Sequence, residues 1–236
     1  HMLTEANAAA GLLPAGTDPE QAVFHILARV ALGGVHDARL QVGETVVVMG
    51  LGTVGLLAVQ QARHPGVTVI GVDRFGLRVQ AAQALGIQAI VAGDSVDVAA
   101  AVHEATGGTG ADAAIEASGS YAGLHEAIRC LRTGGRVATV ASYHGDQLGL
   151  RLGEEYHRNR ITLISSMTIN GCDQRTHPLW TLGRLNQTAR QLIAGGVVRT
   201  EGLITHRIPF ARAAEAYALI TDTPQDTIKV ALTYDN

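Results

Sequence analysis

The sequence predicts an α/β protein: a doubly wound, six-stranded parallel sheet, followed by C-terminal helices and strands that return to a second unit. Three observations carry this. Short apolar runs alternate with stretches of helical periodicity from Thr45 to Ser165. The first run leads directly into a G-x-G-x-x-G turn, Gly50 to Gly55. Beyond Ser165 the alternation stops, and two later strands fall outside the six-strand order.

Composition sets the bounds. The chain has 236 residues, 47% hydrophobic and 17% charged, which suits a soluble globular protein of one large domain, or one domain plus a fragment. A formal net charge of −3 gives no reason to expect nucleic acid or an anionic membrane as partner. No run of about 18 apolar residues is present, so no membrane-spanning helix is expected. Cys130 and Cys172 are too few for a disulfide framework or a four-cysteine zinc site. His1-Met2 reads as a cloning remnant, and Leu3 to Ala15 lacks the basic start and long apolar core of a signal peptide. The expected location is the cytoplasm.

Residues Leu3 to Pro19 form an irregular lead-in. Asp18-Pro19-Glu20 is a helix start, an N-cap acid followed by Pro and an acid in the first turn. That helix runs from Gln21 to about Val35, with Val23, Ile26, Leu27, Val30 and Ala31 at helical spacing. Val46, Val47, Val48 and Met49 belong to a strand buried on both faces. A helix from Val54 to about Arg63 follows, then a strand from Val67 to Val72. Arg74 to Leu85 is a helix ended by Gly86, and Ile87 to Val91 is the third strand. Asp94 or Ser95 caps the next helix, which reaches Ala105. Strand four is Ala113 to Ala117, and Ser118-Gly119-Ser120 opens a helix that Gly134-Gly135 closes. Strand five is Val137 to Ala141; strand six, Ile161 to Ser165, follows a polar loop from Tyr143 to Asn159. Leu179 to Ala194 is a helix, Leu203 to Ile208 a strand, Ala211 to Ile220 a helix, and Ile228 to Leu232 a strand. The last two strands need some other sheet to pair with. The implied units are residues 1–40, 41–170 and 171–236.

The stretch Thr45 to Asp73 carries the chemistry. In a strand-turn-helix context Gly50 permits a sharp turn, Gly52 lets backbone approach a pyrophosphate, and Gly55 lets the helix pack closely on the strand. The helix N-terminus, at Thr53 and Val54, presents free N–H groups to the phosphates. Asp73 closes the second strand 18 residues after Gly55, against roughly 20 expected for the carboxylate that binds an adenosine ribose. An S-adenosylmethionine methyltransferase also has a glycine turn and an acid after the second strand. The apolar run Val54-Gly55-Leu56-Leu57 favours the dinucleotide reading.

Five segments in order, GLGTVGLLAVQQAR, VIGVDRFGLRVQAAQALG, TGADAAIEASG, LITHRIPFARAAEAY and IKVAL, resemble the medium-chain dehydrogenase/reductase superfamily, the zinc-type alcohol and polyol dehydrogenases. The resemblance implies a Rossmann nucleotide domain and the C-terminal return to a catalytic barrel, most of which has no counterpart in this chain. It also implies an oxidoreductase that uses NAD, with NADP less favoured because the Asp73 charge repels a 2′-phosphate. Arg78 matches a basic position near that ribose, Arg74 a cover for the adenine, and Lys229 a basic residue that reaches the pyrophosphate. Ser118, Val140, Ser142 and Ser165 match the end that holds the nicotinamide ribose and carboxamide. The family's cysteine and Gly-His-Glu zinc ligands are absent. Its third ligand position, counted back from Gly43, falls at or beside His25, and one imidazole does not make a zinc site, so no bound zinc is expected. His25 is the first candidate for proton transfer, ahead of Tyr143 and His144. Taken by itself, a histidine in such a helix reads as a polar or half-buried surface residue. The partners implied are a small-molecule substrate and a second copy of the chain, joined through the strand at 161–169. The alternatives are an NAD(H)-binding module without the chemistry, natural or one half of a split enzyme, and a piece cut from a longer active enzyme.

Overall fold

The computed structural model describes residues 18–63, 66–145, 150–168 and 179–234. The lead-in before Asp18, Cys172 and the end of the 161–169 strand at Ile169 lie outside them. Six strands, β1 (Thr45–Met49), β2 (Thr68–Asp73), β3 (Gln88–Val91), β4 (Ala111–Glu116), β5 (Leu131–Thr139) and β6 (Thr162–Ser165), form one parallel sheet in the order β3-β2-β1-β4-β5-β6. β1 shows why it is central. Val46 and Val48 enter one core, shared with the helices on one face of the sheet, while Val47 and Met49 enter the other. All four are essentially buried, as a strand covered on both faces requires.

Helices α1 (Pro19–Ala22), α2 (His25–Asp37), α3 (Thr53–Ala62), α4 (Gly76–Ala84), α5 (Val98–Ala105), α6 (Tyr121–Arg129), α7 (Leu182–Ala194) and α8 (Ala213–Asp222) complete the regular elements. Ala28, Leu56 and Ala189, from α2, α3 and α7, share the first core; Val102 and Ile128, from α5 and α6, share the second. The sheet is therefore doubly wound. None of the described helices is long and apolar enough to cross a membrane.

Four expectations are corrected. The helix from Gln21 to Val35 is two helices, because the fully buried Phe24 occupies the turn between α1 and α2 and fixes it in the core. The cap of α5 is Asp97, whose carboxylate accepts from the Ala100 N–H at 3.1 Å, not Asp94 or Ser95. The helix that opens at Ser120 stops at Arg129, and β5 begins at Leu131, before Gly134-Gly135; the register shift between Ala111 and Ala113 absorbs the irregularity. The two C-terminal strands, β7 (Ile204–Pro209) and β8 (Lys229–Thr233), pair with each other in parallel and do not need a further sheet to do so.

Candidate functional site

β1 and β4 are neighbours whose connections leave in opposite directions, and the crevice outside their carboxyl ends is where ligands bind in open α/β sheets. A cavity of about 460 Å³ opens there, walled by Gly50, Gly52, Asp73, Arg74, Arg78 and Ser118 among others. The three glycines of the turn do different work. Gly50 has φ +90°, and a Cβ on it would lie 2.7 Å from the Ser118 nitrogen, so the turns after β1 and β4 meet backbone to backbone. A Cβ on Gly55 would lie 1.8 Å from the Gly50 carbonyl oxygen; α3 rests directly on the turn. Gly52 has φ −63°, and the nearest atom to an added Cβ is Arg78 Nη1 at 3.9 Å. Protein packing fixes the first and third glycines, whereas the space beside the second is open.

Gly52 is also the N-cap of α3, with no side chain satisfying the helix's first N–H groups, including those of Thr53 and Val54. An open approach, unsatisfied donors and the positive end of a ten-residue helix make an anion cradle. Asp73 lies under this cradle, 6% exposed. Its Oδ2 accepts from the Leu51 N–H at 2.7 Å and its Oδ1 from the Phe75 N–H at 2.9 Å. Each oxygen keeps capacity for a further donor from the cavity.

Arg78 is already engaged: Nε donates to the Thr227 carbonyl and Nη2 to the Pro224 carbonyl, both at 3.0 Å, while Nη1 lies 3.7 Å from Asp73 Oδ2. Arg74 is exposed, 4.5 Å from the centroid of the Phe75 ring. Thr53 Oγ1 donates to the Ile228 carbonyl at 2.8 Å, which brings the first residue of β8, Lys229, beside the glycine turn. Burial pushes the Lys229 pKa down. Val54 packs against the core beneath the turn.

The remaining expected residues are not on the cavity wall. Val140 meets α2, where a Cβ on Gly34 would lie 2.4 Å from Val140 Cγ2. The Ser142 carbonyl faces Gly119, and Ser165 ends β6 in an exposed position. His25 is the half-buried first residue of α2; burial first, then Arg190, lowers its pKa. It stands nine residues before Gly34, about 13 Å along the helix axis at 1.5 Å per residue, and the structure does not bring it together with the cavity residues.

Sequence reasoning missed Glu116. This carboxylate is fully buried at the end of β4 and accepts from the Ser118 N–H at 2.8 Å, the Ser118 hydroxyl, the Gly119 N–H at 3.4 Å and the Tyr143 hydroxyl. It shapes one wall of the crevice. An acid within the apolar run AAIEA was the available signal. Burial, then the bond to Glu116, pushes the Tyr143 pKa up, so the phenol stays protonated. Ser166 and Thr168, beyond β6, were missed too; they are 5% and 2% exposed and their hydroxyls have no partner among the described residues.

Metal ligands were tested separately. Among the described residues, one group of three or more has ligand atoms within reach of a common ion: His125, Glu154 and Glu155. His25 belongs to no such group, and its charged neighbour is the Arg190 guanidinium, so the described surroundings of His25 do not fit zinc.

Residues 53–182 match the family model described as "Zinc-binding dehydrogenase". D-guloside 3-dehydrogenase of Escherichia coli (strain K12) is 34% identical over 226 residues, covering 94% of this chain and 64% of that protein. Alcohol dehydrogenase TADH from Thermus sp. ATN1 superposes with a TM-score of 0.73 at 26% identity, over 94% of this chain and 60% of its own. A protein described as a short chain alcohol dehydrogenase from E. coli CFT073, solved with NADH, shares the fold with a TM-score of 0.74 at 21% identity, over 94% of this chain and 61% of its own. The chain thus spans somewhat under two thirds of the relatives it matches.

Proposed function

The chain belongs to the zinc-binding dehydrogenase family, and from that premise we propose that it is the nucleotide half of an alcohol-dehydrogenase-like oxidoreductase that binds NAD(H) in the crevice. The observation that carries this is Gly52: an open position at the mouth of an uncapped helix, directly above a buried carboxylate. Asp73 would receive the ribose hydroxyls, and the α3 N–H groups the pyrophosphate. NAD is favoured over NADP, because the Asp73 charge opposes a 2′-phosphate and Arg78 is occupied by two carbonyls. The cofactor, when bound, supplies the hydride acceptor for an alcohol or the donor for a carbonyl.

The residues of this chain position that cofactor. Glu116 holds Ser118 and Gly119 in the wall of the crevice. This reading assigns the proton to no residue on the cavity wall: His25 lies away from the cavity residues, and the Tyr143 hydroxyl is already given to Glu116. We include no zinc in this reading, since the surroundings of His25 do not fit one.

Isothermal titration calorimetry with NAD and NADP tests the proposal: saturable binding of NAD, tighter than NADP, is expected. No heat from either at millimolar concentration would remove its basis. A second reading, an NAD(H)-binding module without turnover, is favoured by the position of His25, which is not among the residues that line the cavity. NAD binding without reduction of NAD by any of a panel of polyols and alcohols would select it.

A further inference from the structure

Away from the crevice, α6 faces the short π-helical turn Leu152–Tyr156. His125 on α6 and Glu154 and Glu155 on the turn each offer one ligand atom, all within 4.8 Å of one another. Two of the polar atoms there are buried and have no partner among the described residues: His125 Nδ1 and Glu155 Oε2. A buried imidazole nitrogen and a buried carboxylate oxygen left without partners are each unfavourable, and the half-buried residues that carry them have ligand atoms within 4.8 Å of each other and of Glu154.

The backbone explains how two consecutive glutamates converge. Successive helical residues diverge by about 100°, but Glu154 has φ −96° and ψ −122°, outside the helical region, which lets both carboxylates turn toward α6. The turn is anchored on its far side, because the Ile161 N–H donates to the Tyr156 carbonyl at 3.0 Å and Tyr156 packs against the core. Neighbouring cations leave the site accessible. Arg129 Nε lies 4.0 Å from the other oxygen of Glu155, but that guanidinium is also matched by Glu126 and Asp97. Arg151 Nη1 is 3.5 Å from Glu154 Oε1 in an exposed pair.

We propose that His125, Glu154 and Glu155 form a binding site for a divalent first-row transition metal, best suited to Zn²⁺, that braces the 152–156 turn against α6. One imidazole and two carboxylates balance the ion's charge and leave a fourth position for water. Ligand atoms around tetrahedral zinc are about 3.4 Å apart, given metal–ligand bonds near 2.0–2.2 Å. The side chains therefore need to draw in by about 1 Å or a little more, a movement within the reach of glutamate rotamers. None of the three residues lines the nucleotide cavity.

The test uses the full chain stripped of metal with chelator, then titrated with Zn²⁺ and, for its absorption spectrum, with Co²⁺. One equivalent of Zn²⁺ binding at micromolar concentration or tighter is expected, with visible Co²⁺ bands of a low-coordinate site. At roughly 100-fold excess over the dissociation constant, the melting midpoint should rise by roughly 5–10 °C. His125→Ala and Glu155→Gln should each abolish that equivalent and the thermal shift. Glu154→Gln, which keeps the side chain's shape and removes only a solvent-accessible ion pair with Arg151, should weaken binding at least tenfold while leaving the metal-free melting curve unchanged. No binding below about 100 µM, or an equivalent of zinc that persists unchanged in all three variants, overturns the proposal.

Discussion

At the scale of single residues, Gly52 and Gly55 separate two reasons for having no side chain. Gly55→Ala drives a methyl group to within 1.8 Å of the Gly50 carbonyl, a clash that backbone must relieve, and a loss of about 3 kcal/mol in a urea melt is expected. Gly52→Ala meets nothing closer than 3.9 Å and should melt within about 0.5 kcal/mol of the parent, yet lose at least tenfold in NAD affinity by calorimetry. If the two variants lost stability equally, the open position would not be reserved for a ligand. Asp112 makes a different case. Burial works against its charge, but Arg132 Nε at 2.6 Å, the Thr45 N–H at 2.8 Å and the nearby Arg136 outweigh it and hold its pKa below the ordinary value. A depressed carboxylate contributes stability above its unfolded pKa of about 3.9 and loses it as pH falls through the folded value. Asp112→Asn should therefore lower stability by about 1.5 kcal/mol at pH 7, with the gap closing as pH falls through the depressed folded value. A gap that stayed constant with pH would show that the charge is not what matters. The glycine turn and the acid that ends β2 were legible because they are local patterns. Glu116 was not, since its role depends on Tyr143, 27 residues away, and on a turn formed only when β1 and β4 are adjacent.

At the scale of elements, the C-terminal return is joined to the glycine turn by specific bonds. Arg78 on α4 and Thr53 on α3 donate to the carbonyls of Pro224, Thr227 and Ile228, just ahead of β8. Arg78→Ala should loosen that segment, lowering stability by about 2 kcal/mol and speeding limited proteolysis between β8 and α8. Unchanged cleavage would mean that β7 and β8 hold the segment by themselves. This coupling was opaque in the sequence for the same reason that the β7–β8 pairing was. Both strands are short, and a strand's partner is a property of the sheet, which no periodicity states. The six-strand alternation, by contrast, was legible because a helix follows each of β1 to β4, while β5 leads into a loop, and β1 carries apolar residues on both faces. Helix boundaries slipped where a tertiary contact decided them, as Phe24 did between α1 and α2.

At the scale of the whole molecule, β6 is an open edge. Among the described residues it pairs with β5 on one side and ends the sheet on the other, with Leu163 36% exposed. A β-branched, apolar strand without Pro invites pairing, and a second copy of the same strand is the partner we propose. The direction of its donors makes this testable. The Ser166 N–H points inward to the Thr139 carbonyl at 2.9 Å, and the Ile164 carbonyl faces the same way, accepting from Thr139 Oγ1 at 3.3 Å. By the two-residue alternation of a strand, the N–H groups of Leu163 and Ser165 point outward. Leu163→Pro removes an outward donor and leaves the bonds to β5 intact, which an edge strand tolerates. Light scattering coupled to size exclusion should give twice the chain mass of 24.6 kDa for the parent and a single chain for Leu163→Pro, with NAD affinity unchanged because β6 lies outside the cavity wall. A parent that elutes as a monomer would leave the edge to be covered by something other than its own copy. A dimer that survived the proline would move the interface to another surface.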